Sequence, residues 1–255
     1  MASKDDPRIE ASERTFKILE VIKEQNGASL TDIAEILDIS KSSVHYHIKT
    51  LMRNKFIIKE EDIYRPGLEF LRFGEAARNH LELYHVGKPE VECLSRKSGE
   101  LAHLLVEEHG DGVYLYRSEG EQAVDLGEHS GMRFPLHTKA LGKAILANLP
   151  EDTVYNVIGQ TDLQRKTSNT ITDFNDLIGE LDDIRAQGYA FEKSEWKEGL
   201  NAVAAPVTDD RGIAIGAVDI AGPRSRMKEQ KLEEELPERV ISAANVIELN
   251  LSSPN

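Results

Sequence analysis

The sequence is poor in cysteine and has no long apolar run, and these absences exclude several classes of protein. A single cysteine, Cys93, cannot form an intrachain disulfide and leaves too few thiolates for a structural zinc site. No segment approaches the roughly 18 uninterrupted apolar residues that a membrane span needs. The charged first residues, MASKDDPRIEASER, lack the apolar core of a signal peptide. We therefore expect a cytoplasmic protein without membrane contact.

Acidic residues are missing from one window of an otherwise acidic chain. The 255 residues carry a formal net charge of −14 at pH 7. Between Ile39 and Lys59 there is no Asp or Glu, while five Lys or Arg and two His occur there. The acidic remainder either keeps the protein soluble or reflects adaptation to a salty cytoplasm. The basic window requires a separate explanation.

The N-terminal part has the pattern of three helices joined by short turns. Ser12 is the expected N-cap of the first helix, which the left-handed pair Asn26-Gly27 ends. Ser29 and Asp32 have capping-box spacing at the start of the second helix, and Ser40 is the expected N-cap of the third. Two short helices joined by so tight a turn predict a helix-turn-helix. The apolar positions at helical spacing are Phe16, Leu19 and Ile22, then Leu30, Ile33, Ala34 and Leu37, then Val44, Ile48 and Leu51.

Two short strands are predicted directly after the third helix. The segments 56–59 and 63–65 flank the polar turn Glu60-Glu61-Asp62, which predicts a β-hairpin, or wing. A helical stretch from about Phe70 to Tyr84 follows, and Gly87-Lys88-Pro89 is expected to break it. We predict a winged helix-turn-helix domain over residues 1–68, a linker helix over 69–87 and a second domain over 88–255.

The remaining residues alternate predicted strands with predicted helices. The segment Val207–Ala214 predicts a hairpin turn between two strong strands. The pattern as a whole predicts an α/β domain with a mainly antiparallel sheet. Strands are predicted over 102–108, 112–117, 134–137, 189–192, 201–207 and 213–221, and helices begin after Pro89, at Thr138, at Glu151, at Asp173 and near Gln230.

The third helix offers the chemical groups of a DNA-reading surface. Opposite its apolar face lie hydroxyl, imidazole, phenol and ammonium groups, which reach base edges in a major groove. Free amides and hydroxyls at its N-terminus favour phosphate, and a carboxylate anywhere on this surface would repel DNA. His47 borders the buried face and is expected to be structural. The predicted DNA-binding residues are Ser40, Lys41, Ser42, Ser43, His45, Tyr46, Lys49 and Arg53, with Lys59 and Arg65 on the wing.

Three blocks of the sequence together resemble the isocitrate-lyase-regulator (IclR) family of transcription factors. They are SLTDIAEILDISKSSVHYHIKTLMRNKFI with YRPGLEFLRFG, then GMRFPLHTKALGKAILANLP, then EGLNAVAAPVTDDRGIAIGAVDIAGPRSR. The resemblance spans about residues 11–250. It implies a winged helix-turn-helix, a linker helix and a GAF-like C-terminal domain that binds a small molecule. It also implies operator DNA, an effector and further copies of the chain (a homodimer or homotetramer) as partners, with no cofactor or metal.

The resemblance further implies an effector pocket between the start of the PLH…GKA helix and the last two strands. Ala202 stands where cysteine is frequent in the family, and Asp219 and Ala221 stand where small hydroxyl residues are common. Because Asp219 near Glu192 adds repulsion for anions, we expect a neutral polyol, a cation or an aromatic effector rather than a simple dicarboxylate or keto acid. If Asp219 is instead paired with a buried Arg or Lys, it never meets the ligand. The residues carried over are Thr138, Ala140, Leu141, Glu192, Ala202, Asp219 and Ala221.

Two other functions compete with this interpretation. For an enzyme, HTKALGKA lacks the first glycine and the Ser or Thr of a P-loop, and the eight histidines show no metal-binding spacing such as HExxH. For a ligand-sensing module that uses its helix-turn-helix for protein contacts, the acidic surface would be suitable. Steep salt dependence of binding would favour DNA over a protein partner. We expect a non-enzymatic, sequence-specific DNA-binding transcriptional regulator modulated by a small molecule.

Overall fold

The computed structural model describes residues 8–161, 163–228 and 231–252 of the chain. The chain forms two compact units, which divide between Ala77 and Arg78. Each unit buries its own apolar core, the first in one cluster and the second on two faces of a sheet. No helix in the described ranges is long and apolar enough to cross a membrane.

The N-terminal unit combines three helices with a small antiparallel sheet. Its two longer strands form the predicted hairpin, and its helices and hairpin share one core. A further strand pairs with the hairpin edge, but its two residues are too few to show an alternating pattern in the sequence. The elements are α1 (Glu10–Glu24), β1 (Ala28–Ser29), α2 (Leu30–Ile36), α3 (Lys41–Arg53), β2 (Ile57–Glu60) and β3 (Ile63–Pro66).

Side-chain caps set the helix starts of α2 and α3. Ser29 Oγ accepts a hydrogen bond from the backbone N–H of Asp32 at 3.2 Å, and Asp32 Oδ2 accepts from Ser29 N–H at 3.0 Å. Ser40 Oγ accepts from the backbone N–H of Ser43 at 3.2 Å. Asp38, in the turn before α3, has a φ of +51°, a left-handed conformation that Asp tolerates. The predicted capping box, N-cap and turn are confirmed.

Two predictions about α1 are wrong, although its end at Asn26-Gly27 is confirmed. Ser12 is not the N-cap, because its backbone N–H already donates to the carbonyl of Ile9, the residue before the helix, at 2.9 Å. Phe16 is 65% exposed, because the inward face of α1 lies further round the helix. The buried residues of α1 are Ile18, Val21 and Ile22.

The helix after the wing is interrupted earlier than the sequence predicts. α4 (Glu69–Asn79) ends before α5 (Glu82–Ser98) begins, and Pro89 lies inside α5. Gly87 lets α5 approach the sheet, since a Cβ at this position would lie 2.8 Å from Leu104 Cδ2. This glycine therefore serves close packing and not a break in the helix. The predictions of one helix from Phe70 to Tyr84, of a break at 87–89 and of a helix start after Pro89 are wrong.

The C-terminal unit is an α/β domain on one sheet, in which all the described strand pairs are antiparallel. The strand predicted over 134–137 is shorter, because a 3-10 turn begins at Leu136, and the helix predicted from Thr138 begins at Ala140. The hairpin turn within 207–214 is confirmed. The elements are β4 (Leu101–Glu108), β5 (Asp111–Glu119), β6 (Arg133–Pro135), α6 (Ala140–Ala147), α7 (Glu151–Thr161), α8 (Phe174–Gln187), β7 (Ala190–Lys193), β8 (Leu200–Thr208), β9 (Ala214–Pro223) and, after a π-helical turn, α9 (Leu236–Ser252).

The sheet, in the order β6-β5-β4-β9-β8-β7, is covered on both faces. α5 and α9 pack on one face, and α6 and α8 pack on the other. Every residue of α6 is buried. Gly142 lets α6 lie against the 3-10 turn before it, because a Cβ there would come within 2.0 Å of the Leu136 carbonyl oxygen. The residues predicted to bind the effector lie at this second face.

Candidate functional site

The face of α3 opposite its buried residues is polar and open. Tyr46 is 72% exposed. Ser40 Oγ lies 3.0 Å from Ser42 Oγ, which places two hydroxyls at the start of the helix. Ser43 is half-buried, and its backbone N–H donates to the capping hydroxyl of Ser40. The predicted residues at exposed positions of α3 are Lys41, Ser42, His45, Tyr46, Lys49 and Arg53.

The cations of this face have no partner within the described part of the chain. There, no ion pair or hydrogen bond engages the side chains of Lys41, Lys49 or Arg53, and the first turn of α3 contains no acidic residue. Such side chains can take phosphate oxygens or base acceptors without breaking an internal ion pair. The face is therefore suited to double-stranded DNA.

The wing is less available than the sequence suggests. Lys59 Nζ lies 3.2 Å from Asp62 Oδ1, and Arg65 Nε lies 2.7 Å from Glu60 Oε2. Arg65 also donates to the backbone carbonyl of Asn26. A phosphate must compete with a carboxylate at both positions. The DNA contacts predicted for these two cations therefore have weaker support than those of α3.

His47 contacts the rest of the N-terminal unit and does not belong to the exposed face. Its Nδ1 lies 2.8 Å from Thr15 Oγ1, which links α3 to α1. This contact agrees with the structural role predicted for His47.

The predicted effector residues come together beneath α6. Strand pairing places Glu192 beside Ala202 and Ala202 beside Ala221. Asp219 lies two residues before Ala221 and so on the same face of the sheet. α6 packs on β7, β8 and β9, and this contact brings its first residues to the same face. All members of the set are buried, with exposed fractions of 0% for Thr138, Ala140 and Leu141, 2% for Glu192, 1% for Ala202, 3% for Asp219 and 4% for Ala221.

Asp219 is paired with a histidine and not with an Arg or Lys. Its Oδ1 accepts a hydrogen bond from the His103 backbone N–H at 2.9 Å and lies 2.8 Å from His103 Nδ1. The imidazole stacks on the ring of Tyr114, with 4.5 Å between the ring centroids. Among the described residues, the buried Nε2 of His103 has no hydrogen-bond partner. One ring nitrogen of this histidine is therefore fixed and the other is open.

A buried lysine lies at the centre of the same interior. Lys139 Nζ donates to Glu128 Oε1 at 2.7 Å and to the Tyr114 hydroxyl at 2.9 Å. The rings of Tyr114, Phe134 and Trp196 surround the ammonium, with centroids 5.2, 4.8 and 4.9 Å away. Burial alone would raise the pKa of Glu128, but the charge of Lys139 and its hydrogen bond together hold that pKa below its usual value. The Glu128 carboxylate is therefore ionised at neutral pH.

A second buried lysine, on α6, has ion pairs of its own. Lys143 Nζ donates to the two carboxylate oxygens of Glu195 at 2.9 and 2.8 Å and to Glu180 Oε1 at 3.0 Å. Glu195 Oε1 also accepts a hydrogen bond from the Lys193 backbone N–H at 3.2 Å. The Gly-Lys pair of HTKALGKA thus forms an internal ion pair and does not hold a phosphate.

Glu192 is largely uncharged at neutral pH. Burial, which the charge of Lys139 opposes only in part, raises the pKa of Glu192 to about 8. Its Oε1 accepts a hydrogen bond from the Trp196 backbone N–H at 3.3 Å. The sequence predicts that Asp219 beside Glu192 repels an anionic ligand, but Glu192 is protonated and Asp219 is paired with His103. Glu192 therefore adds no negative charge to this interior at neutral pH, and the electrostatic argument against an anionic effector rests on Asp219 and Glu128 alone.

Sequence reasoning misses His103, Tyr114, Glu128 and Lys139, although these residues form the centre of the network. Lys143 does have a signal, since a lysine within the otherwise apolar ALGKAILA implies a buried and paired cation. Glu128 has none, because it lies in a loop and its burial depends on strands and a helix that are distant in sequence.

An open cavity of 570 Å³ lies elsewhere on this unit. Lys193, Asn201, Arg224 and Lys228 are among its lining residues, and none of the predicted effector residues is. The predicted effector residues lie instead beneath α6, where side chains of the protein fill the interior.

The fold and the open face of α3 define a winged helix-turn-helix protein with a second, sensor-like α/β domain. A family model described as "IclR helix-turn-helix domain" matches residues 11–60. A second, described as "Bacterial transcriptional regulator IclR C-terminal", matches residues 75–249. The chain belongs to the IclR family. It is a DNA-binding transcriptional regulator with the effector-binding domain of that family, whose members are regulators and not enzymes.

Individual relatives match almost the whole chain. The probable HTH-type transcriptional regulator ArcR of Halobacterium salinarum is 32% identical, over 99% of this chain and 98% of its own. The crystal structure of the Thermotoga maritima IclR has a TM-score of 0.80 and 28% identity, over 96% of this chain and 100% of its own. An IclR homolog from Microbacterium hydrocarbonoxydans, complexed with 4-hydroxybenzoate, has a TM-score of 0.78 and 22% identity, over 94% and 98% of the two chains. This last likeness concerns the fold alone.

Proposed function

We propose that the exposed face of α3 reads operator DNA, and that a small molecule bound beneath α6 modulates this reading. The first part rests on the acid-free face of α3, where Lys41, Lys49 and Arg53 have no partner among the residues that the structure describes. The second part is supported by the directed buried groups around Lys139. A module that used the helix-turn-helix for protein contacts would not need three unpaired cations on one face.

We expect Lys49→Ala and Tyr46→Ala to weaken operator binding by about 1–3 kcal/mol each, the usual cost of one lost base contact. Both side chains are exposed, so the fold should be unaffected. Operators would first be isolated by pulling down genomic fragments with the purified protein at two salt concentrations. Fluorescence anisotropy on the enriched sites then measures the affinities.

Lys17→Ala is the matched control, because it removes one exposed lysine from α1 of the same unit. Tyr46→Phe separates the hydroxyl from the ring. Unchanged operator affinity in both Lys49→Ala and Tyr46→Ala would mean that the DNA-reading surface does not lie on α3. Affinity that is insensitive to salt would favour the protein-contact module, since phosphate contacts weaken steeply as salt rises.

We infer that the regulator acts as a homodimer or homotetramer. One recognition helix covers only a few base pairs, so two half-sites are needed for useful specificity. Sedimentation of the free and operator-bound protein, together with the spacing of the half-sites, tests this inference. We also propose a cytoplasmic location and a functional division into a DNA-binding part over residues 1–68, a linking segment over 69–87 and an effector-binding part over 88–255, with α5 running across the second boundary.

An aromatic carboxylate is a suitable first effector probe. The IclR homolog from Microbacterium hydrocarbonoxydans is named as a complex with 4-hydroxybenzoate. In the present chain, Phe134 and Trp196 border the ammonium of Lys139, so an aromatic acid would find both a ring surface and a cation. Titration of the protein with 4-hydroxybenzoate, followed through Trp196 fluorescence, is the direct measurement.

A further inference from the structure

The carboxylate of Glu128 reaches the interior from a loop and not from the sheet. The loop connects β5 to β6, and the Glu128 side chain is only 3% exposed. Its Oε1 accepts from Lys139 Nζ at 2.7 Å, and its Oε2 accepts from the Tyr114 hydroxyl at 3.3 Å. His103 Nε2, which has no hydrogen-bond partner among the described residues, lies 3.8 Å from the same Oε2. Three groups therefore face one carboxylate.

These three groups come from elements that are held firmly in place. Tyr114 lies on β5, His103 on β4, and Lys139 immediately before the fully buried α6. Asp219 fixes the histidine ring through Nδ1, and three aromatic rings surround the ammonium. Lys139, Tyr114 and His103 thus form a seat for one carboxylate, which we call the carboxylate seat.

The loop that carries Glu128 has few backbone ties. At one end of the loop the Gln122 backbone N–H donates to the Gly99 carbonyl at 2.8 Å. At the other end the Gly131 backbone N–H donates to the Tyr114 carbonyl at 2.8 Å. Between them, the described backbone of residues 124–128 makes only the local hydrogen bond from Gly127 N–H to Asp125 Oδ1. Leu126, which is half-buried, packs against the core. The carboxylate can therefore leave its seat without breaking strand pairing.

The charge of a ligand determines whether it can replace the Glu128 carboxylate in the seat. A neutral ligand that displaced Glu128 would leave Lys139 buried without a counter-ion, which is strongly unfavourable. An anion added while Glu128 stayed would bring a further negative charge close to Glu128 and Asp219. Exchange of one carboxylate for another leaves the charge balance of the seat unchanged.

We propose that Glu128 is an internal occupant of the carboxylate seat, and that the effector is an organic acid whose carboxylate replaces it and releases residues 124–128 of the loop. This rests on the proposed function, because it specifies the ligand and the regulation of the same site. The body of the acid would lie against Phe134 and Trp196, which are the rings that border the seat. The effector therefore competes with the protein's own side chain, so that only acids with this additional contact bind well.

Chemical rescue tests the seat without knowledge of the effector. Glu128→Ala should lower the melting temperature by about 6–12 °C, because it leaves Lys139 buried and unpaired. Acetate should then restore much of this loss, whereas acetamide and chloride at equal concentration should not. Glu128→Gln, which keeps the side-chain volume, is run in parallel. Glu128→Gln/Lys139→Met should be stable without acetate and indifferent to it, because neither charge remains.

Competition by Glu128 is tested in the unmodified protein. Trp196 is the single tryptophan of the sequence, and its ring centroid is 4.9 Å from Lys139 Nζ, so its fluorescence reports on the seat. Acetate should bind the unmodified protein at least about tenfold more weakly than the Glu128→Ala variant, because the tethered carboxylate has a high effective concentration. Acetate should also speed amide hydrogen exchange in residues 124–128.

Two outcomes would overturn the inference. One is stabilisation of Glu128→Ala and Glu128→Gln by acetate that is no greater than that by acetamide. The other is equal acetate affinity in the variant and the unmodified protein. Operator binding at low salt is measured on the same preparations. Intact operator binding without an acetate response would reject the carboxylate seat and leave DNA reading by α3 in place. An acetate response without operator binding would reject DNA reading by α3 and leave the carboxylate seat in place.

Discussion

Replacing Gly142 by alanine should lower the free energy of unfolding of the C-terminal unit by about 3 kcal/mol or more. The new Cβ would lie 2.0 Å from the carbonyl oxygen of Leu136 and 2.6 Å from its Cα. Both are backbone atoms, so no side-chain rotation relieves the overlap, and α6 must move away from the 3-10 turn. Lys139 and Lys143 flank this glycine, so the movement would also disturb both buried ion pairs.

Gly179→Ala is the matched control for this substitution. Gly179 also lies within a helix, α8, but a Cβ there meets nothing within 4 Å. Alanine should therefore stabilise this helix by about 0.5–1 kcal/mol through lower backbone entropy of the unfolded chain. Urea unfolding followed by Trp196 fluorescence measures both variants. Equal stability of the two would mean that α6 does not pack against the turn as closely as the structure has it.

The second large effect is a loss of stability with rising pH that arises from Glu192. Its pKa is about 8 in the folded protein, against an ordinary value of 4.5. Between these values the folded state holds a proton that the unfolded state has released, so the free energy of unfolding falls as pH rises. The stabilising contribution of the protonated group is complete below pH 4.5 and is lost as pH rises through about 8.

Glu192→Gln should remove this dependence, because an amide does not titrate. From pH 6 to pH 9, the stability of the unmodified protein relative to this variant should fall by about 2.5 kcal/mol, or about 1.4 kcal/mol for each unit below the folded pKa. The charges of Lys139, Lys143 and Glu195 also shift the pKa of Glu192. The pH range of the stability loss must therefore be measured in variants that keep these three residues.

Urea unfolding at pH 6, 7, 8 and 9 measures the effect, with exposed Glu198→Gln as the control. The control should follow the unmodified protein at every pH. Parallel pH profiles for the Glu192→Gln variant and the unmodified protein would show that Glu192 is ionised in the folded state. The proximity of Glu192 to Asp219 would then again disfavour anionic effectors.

The architecture of the N-terminal unit was accessible from the sequence because its signals are local. The capping box of Ser29 and Asp32, the cap at Ser40 and the buried positions of α3 all depend on residues three or four apart. The acid-free window maps directly onto the exposed face of α3, since a helix places a known subset of its residues outward. The start and inward face of α1, the two-residue strand β1 and the pairing of Lys59 and Arg65 with wing carboxylates became known only from the folded unit.

Glycine and proline were interpreted less well, because their effect depends on what lies opposite them. Gly87 and Pro89 have the composition of a break, yet both lie within α5. Gly87 is needed where this helix meets Leu104 of a strand. No property of the segment 87–89 distinguishes a glycine that ends a helix from one that lets a helix approach a sheet.

The class of the protein, the helix-turn-helix with its open basic face and the antiparallel α/β character of the second unit all follow from local patterns in the sequence. The chemistry beneath α6 depends on the folded state. Glu128, Lys139 and His103 come from separate segments, and their charges depend on burial and on one another. The formal charges of Glu192 and Asp219, taken from the sequence, therefore predict a negative pocket. The folded interior instead holds a protonated Glu192, an Asp219 paired with histidine, and a lysine whose carboxylate partner is supplied by a loop.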